Sequence, residues 1–277
     1  MTAPTATSSI PTTPTTRAEA GSGITFGRVL RSEWIKVTTV PSTVILIVIT
    51  LVVMIGLAAV VAWSLGLAAD AAPPGAAFAV PSSGLAFGQL LIASLAVVLV
   101  ASEWGTGMIR STMVAVPGRT QALVAKAAVI AAISFVVGFV SALGSYFVTQ
   151  PILDAQGLGF ALGEEGVFLS VVNTGTFLAL VALISMATGT LLRNTAGGIV
   201  TVVGVFFVLP VVLQTLAGLA DWVADVGRFL PGEAGQQMVA VSTTDGALSP
   251  LEGGLTMAAW AVGLQVIALV VTKKRDV

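Results

Sequence analysis

Six long apolar runs, separated by short stretches in which the charges collect, set the pattern of this chain. No charged residue lies between Val37 and Ala69, and the run TVILIVITLVVMIGLAAVVAWSL predicts a first membrane span over residues 43–67, with Pro41 suited to a helix start. The same reading predicts spans at 84–101, 127–148, 167–192, 197–219 and 254–272, each close to the ~20 residues that a bilayer core requires. Pro210 predicts a kink in the fifth. Ahead of the first span, ITFGRVLRSEWIKV places Phe26, Leu30, Trp34 and Val37 at helical spacing and adds Arg28, Arg31 and Lys36. An amphipathic helix lying in the headgroup region fits that pattern, and a mere fringe of the first span, with cations that set orientation, is the alternative. Residues 1–23 are rich in Thr, Pro, Ala and Ser without apolar periodicity, so a disordered tail is expected there. They lack the basic start and apolar core of a signal peptide. The predicted fold class is an all-α integral membrane protein, a tail over 1–23 followed by a six-helix transmembrane domain over 24–277.

Composition agrees. Of 277 residues 56% are hydrophobic and 9% charged, with a mean hydropathy of +1.02, more apolar surface than one soluble core of this size hides. There is no Cys, hence no disulfide framework and no thiolate metal site, and no His, the commonest general base and metal ligand. The charges then orient the spans. With the N-terminus in the cytoplasm, eleven of the twelve Lys and Arg residues fall inside and only Arg228 outside. The outer loops collect Asp70, Asp154, Glu164, Glu165, Asp221, Asp225, Glu233, Asp245 and Glu252. Both termini are therefore expected in the cytoplasm, and the net charge of −1 carries no case for a nucleic-acid partner.

Several chemistries find no residues to carry them. No Gly-Lys pair occurs, so the phosphate loop GxxxxGK is absent and this chain does not cradle ATP by that device. No predicted span holds an acidic residue near its centre, which argues against an ion-coupled carrier, although broken helices can bind sodium through carbonyls. No nucleophile–base pair or carboxylate pair is placed for hydrolysis, so no catalytic residue and no metal ligand is expected. The spans do carry small and mildly polar residues. Ser134, Gly138, Ala142 and Tyr146 recur every fourth position with Ser141 and Ser145 beside them, and span 4 has Asn173, Thr174, Thr176 and Ser185. Close helix packing accounts for them, with hydroxyls bonding across helices. The functional alternative makes Gln89, Asn173 and Gln214 the lining of a substrate path. Residues 220–253 are too charged to span yet keep Trp222, Val223, Val226, Phe229 and Leu230. A half-inserted hairpin and a simple outer loop with one interfacial helix both fit.

One cytoplasmic interlude is longer than a span connection needs. Residues 102–126, SEWGTGMIRSTMVAVPGRTQALVAK, hold Glu103, Arg110, Arg119 and Lys126, with a break at Pro117-Gly118. Met108, Ile109, Met113 and Val116 supply an apolar face with Arg110 opposite. A short helix parallel to the membrane and presented to a soluble partner fits this spacing better than a basic loop held to anionic lipid.

That run resembles the cytoplasmic loop of ABC transporter permeases of the type-2 exporter class, in particular their short actinobacterial form. The resemblance rests on Glu103, Trp104, Thr106, Gly107, Arg110, Thr112, Pro117, Arg119 and Lys126. Met108 departs from it, standing where a hydroxyl residue is more usual. RSEWIKV looks like the family's element before the first span, through Glu33, Trp34 and Lys36, and FLPGEAGQQM like its outer re-entrant segment. Together these cover residues 26–275. The resemblance implies a six-helix permease subunit, not itself an enzyme, that pairs with a second permease subunit, identical or paralogous, and with two copies of a separate ABC ATPase. ATP and Mg would be bound on that partner and no cofactor on this chain. Glu103, Trp104, Gly107, Arg110, Pro117 and Arg119 would couple to the ATPase through a coupling helix between helices 2 and 3. The implied activity is ATP-driven export of an amphipathic substrate, such as a peptide antibiotic, a drug or a lipid-linked molecule, across a bacterial plasma membrane. The other expectations are a membrane anchor or sensor that recruits a cytosolic protein without transport, and a secondary carrier.

Overall fold

The computed structural model describes residues 25–108, 119–218, 221–243 and 246–274. Among them every regular element is helical. Helix α1 (Phe26–Thr39) leads through Val40 into α2 (Pro41–Leu67), with Pro41 at its first turn, where the missing N–H costs nothing. Two 3₁₀ turns, Ala69–Ala71 and Ala76–Ser82, bring the chain to α3 (Leu85–Gly105). Then come α4 (Arg119–Asp154) and α5 (Val167–Leu192). The next crossing is composite: α6 (Thr195–Val203), a π-helical turn at Gly204–Val208, and α7 (Leu209–Ala217). Two short helices, α8 (Asp221–Gly227) and α9 (Pro231–Val239), precede the last long one, α10 (Pro250–Lys274).

Six helical stretches are long and apolar enough to cross a membrane, as the apolar runs predict, so this is a multi-pass membrane protein. The boundaries differ instructively. The third span is expected to cover 127–148, whereas α4 runs unbroken for 36 residues, about 54 Å at 1.5 Å per residue. A bilayer core is ~30 Å thick, so α4 projects beyond it, and the charges that bound the sequence-based span mark where apolar surface ends rather than where the helix does. In the fifth span the expected disturbance at Pro210 takes the form of the π turn that ends two residues before it. Proline has no N–H to donate to the carbonyl four residues back and its ring crowds that carbonyl, and a widened turn absorbs the mismatch.

The helices are not equally enclosed. Roughly three-fifths of the apolar windows of α3, α4 and α5 are buried, against about a fifth for α2, the composite helix and α10. The centre is α3 against α5, where Ile92, Ala96, Val97, Val100, Phe177, Leu178, Val181 and Ala182 are shut off completely. At the α4–α5 crossing a β-carbon on Gly138 would stand 2.9 Å from the Cα of Gly175, and one on Gly175 would stand 2.8 Å from the carbonyl oxygen of Phe135. Only glycine lets the two backbones touch there, which is the close packing expected from the Ser134–Tyr146 stripe. The hydroxyls behave differently from that expectation. Thr174 and Ser185 donate to carbonyls of their own helix four residues back. The reach across helices comes instead from Ser170 and Asn173, which donate to the carbonyls of Val239 and Met238 at the end of α9.

A second, smaller core closes the end of the bundle where α2 finishes and α3 begins. Tyr146 donates its hydroxyl to the carbonyl of Phe160 at 3.0 Å, and Phe78 meets Phe160 edge-on at 5.0 Å. At the opposite end, α5 stops on Arg193, whose backbone is left-handed (φ 53°), and Asn194 caps α6 by accepting from the N–H of Gly197 at 2.8 Å. Two residues thus reverse the chain between spans 4 and 5.

Candidate functional site

Charged residues near the two ends of the 102–126 interlude converge with two from α1. Helix α1 packs a stripe of Val29, Glu33 and Val37 against the bundle, the 4-residue spacing of one helix face. This stripe is one step round from the apolar edge expected from sequence, because Phe26 and Trp34 are left exposed while Glu33 is only 2% exposed. Glu103, in the last turn of α3, and Lys126, near the start of α4, are buried as well. The ammonium of Lys126 lies 2.7 Å from Oε2 of Glu33 and 2.8 Å from Oε1 of Glu103. Lys36, half-exposed, lies 2.6 Å from Oε1 of Glu33 and 3.5 Å from Oε1 of Glu103.

Two carboxylates and two ammonium groups thus form a neutral ring joining α1, α3 and α4. Burial pushes the Glu33 carboxyl up, but the Lys126 charge, its hydrogen bond and those of Lys36 outweigh that and hold it below the ordinary carboxylate value. Burial likewise pulls Lys36 down, yet the hydrogen bond to Glu33 and the charge of Glu103 leave it raised. Both shifts favour the ionised pair. The remaining oxygen of Glu103, Oε2, has no hydrogen-bond partner among the described residues. Buried ion clusters of this kind add little net stability over an apolar core, but they tolerate the loss of one member badly.

Next to the ring, the guanidinium of Arg193 sits 4.0 Å over the Trp104 ring, tying the start of the span 4–5 turn to the end of α3. Past Trp104, the N–H of Thr106 closes on Ser102 and that of Gly107 on Trp104. Gly107 takes φ +71°, and nothing stands within 4 Å of where its β-carbon would be. A left-handed glycine just beyond a helix end is a common way to terminate one, and here it ends α3. Of the residues that the resemblance implicates, Glu33, Lys36, Glu103, Trp104 and Lys126 are brought together at this end, and Trp34 lies exposed on α1 beside them. Arg110, Thr112 and Pro117, and with them the expected coupling helix, lie outside the described residues. Arg119 opens α4.

At the opposite end lies a cavity of about 830 Å³ between α2, α3, the π turn, α7 and α9. Gln89 and Gln214 both line it, as does Glu233 in the first turn of α9, which accepts from the Gln214 amide at 3.0 Å. Asn173 does not reach it, being engaged with Met238. Sequence reasoning treats Glu233 as one more outer charge, although Pro231 at the first helical position with an acid two residues later is a readable helix start. The clustering of Glu33, Glu103 and Lys126 has a fainter signal: isolated charges at the ends of apolar runs, with opposite signs on neighbouring elements.

No protein-family model matches the chain, and no curated protein matches it either.

Proposed function

We propose that this chain is the permease subunit of an ATP-driven exporter, with the 102–126 interlude as the elbow that receives force from a separate ATPase. The observation that carries this reading is the buried ring of Glu33, Lys36, Glu103 and Lys126. It joins the roots of both helices that flank the elbow, α3 and α4, and fastens α1 to them. A displacement of the elbow is therefore passed to two spans as one body, and the unbroken α4 carries it to the far side of the bilayer. Discrete, rigid elements of this sort are what coupling between distant sites requires.

On this reading the elbow, the ring and both termini face the cytoplasm of a bacterial cell, and α1 lies along the inner headgroup layer with Trp34 and Phe26 toward lipid. A second permease subunit covers part of the weakly enclosed helices. The stretch from α8 to α9 is a re-entrant hairpin: α9 buries Pro231, Gly232, Ala234, Gly235, Met238 and Val239 among α5, α10 and the π turn, and backbone at membrane depth is tolerated where protein surrounds it.

The test is co-purification with an ABC ATPase subunit co-expressed from the same genome, with ATP turnover measured for the Gly107→Pro, Arg110→Glu double variant. Proline cannot adopt the positive φ of Gly107, and the reversed charge opposes docking. Turnover stimulated by the permease is expected to fall about tenfold or more, within the usual range of coupling energies. Unchanged complex and unchanged turnover would overturn the assignment.

A further inference from the structure

The cavity at the end remote from the ionic ring has a composition that selects a ligand. Val61, Leu65, Phe206 and Val211 make most of its walls apolar, and at about 830 Å³ it has room for a drug-sized body. Gln89, Gln214, Glu233 and Gln236 are the larger polar groups among its lining. Glu233 is half-buried there, and among the described residues no Lys or Arg lies within ion-pair distance of it; Arg228, which lines a smaller adjoining pocket with Glu233 and Gln214, pairs with Asp225 at 3.6 Å. One Glu233 oxygen is used by Gln214. Facing the same space, Gln89 is 4% exposed and makes no side-chain hydrogen bond among the described residues, although its polar atoms border the cavity. With no protein partner, that carboxamide is left to whatever occupies the cavity, and a ligand that displaces water from it must replace its hydrogen bonds.

We propose that this cavity binds an organic cation, an ammonium group carried on an apolar body, with Glu233 neutralising the charge and the Gln89 carbonyl accepting an ammonium N–H. As the cargo site of the proposed permease it rests on that reading. A carboxylate beside apolar walls discriminates by charge more sharply than the same group in water, because the surrounding dielectric is lower. An anionic body would meet Glu233 with like charge, and a neutral one would leave Gln89 and the second Glu233 oxygen without a donor, which is how polar sites reject analogues. A bare metal ion would leave the large apolar volume unfilled.

Three dansyl probes built on the same five-carbon chain separate the outcomes: dansylcadaverine with a terminal ammonium, N-pentyl dansylamide without it, and the carboxylate made from 6-aminohexanoic acid. Binding is read from dansyl emission with the purified chain in phosphatidylcholine nanodiscs at 150 mM NaCl, after subtraction of empty discs. The cationic probe is expected to saturate and to bind about tenfold or more tightly than the neutral one, with the carboxylate weakest. Glu233→Gln should bring the cation to the level of the neutral probe, and Glu233→Asp should restore part of the difference. Ala86→Trp, which fills the cavity from an exposed position on α3 while leaving Glu233 in place, should abolish saturable binding of all three. No saturable binding by the wild-type chain, equal binding of the three probes, or tight cation binding that survives Glu233→Gln would overturn the proposal. Because no ATPase takes part, these failures would leave the elbow's partnership intact, and failure of co-purification would leave the cavity's preference intact.

Discussion

Lys126 stands between the carboxylates of Glu33 and Glu103, so its loss leaves two buried acids facing the half-exposed Lys36 alone. Breaking a buried ionic group in this way costs about 3–5 kcal/mol. Lys126→Met should lower the thermal stability of the detergent-solubilised chain accordingly, and adding Glu33→Met should return much of the loss, a non-additivity that a double-mutant cycle reads directly. The ring also predicts a pH window. The lowered Glu33 carboxyl contributes stability that is present above its ordinary value of 4.5 and lost as pH falls through the lowered one. The raised Lys36 contributes stability that is present below its ordinary value of 10.5 and lost as pH rises through the raised one. The melting-temperature advantage of wild type over a Glu33→Gln, Lys36→Gln variant should therefore be flat between those limits and shrink outside both. Glu33, Lys36, Glu103 and Lys126 are each visible in the sequence as charges bordering apolar runs. Their meeting is not, because it depends on how α1 folds back along α4, and a spacing of 23 residues between Glu103 and Lys126 carries no period to read.

At the scale of elements, glycine positions decide how closely helices approach, and a sequence does not say which glycines do so. Gly138 and Gly56 both lie inside long apolar helices, yet a β-carbon at Gly138 meets the backbone of α5 at 2.9 Å while one at Gly56 meets nothing within 4 Å. Gly138→Val should cost about 1–3 kcal/mol through overpacking, whereas Gly56→Ala should be neutral or stabilising by up to about 1 kcal/mol through helix propensity. Unfolding of the two variants in graded denaturing detergent compares them. The existence of all six long helices is legible from apolar runs alone. Their ends are less so: hydropathy finds the stretch that lipid must accept, while hydrogen bonding carries α4 well past it on both sides. Pro210 is legible as a disturbance, and the π turn that answers it depends on Gly204–Val208 packing beside α9.

For the whole molecule, the division between an enclosed trio, α3, α4 and α5, and a loosely held trio, α2, the composite helix and α10, gives a frame and a set of outward faces. The ionic ring occupies one end of that frame and the cavity lined by Gln89 and Glu233 the other, joined by α3 and its neighbours. On the proposed function, the elbow at the ring end docks on an ATPase. Because the chain contains no cysteine, a photoreactive benzophenone maleimide can be placed on a single Arg110→Cys or Glu164→Cys variant with no background from the chain itself. Illumination of the complex in nanodiscs should crosslink the ATPase to position 110, at the elbow, and not to position 164, across the membrane. Absence of a crosslink at 110, or equal crosslinking at both positions, would contradict the account.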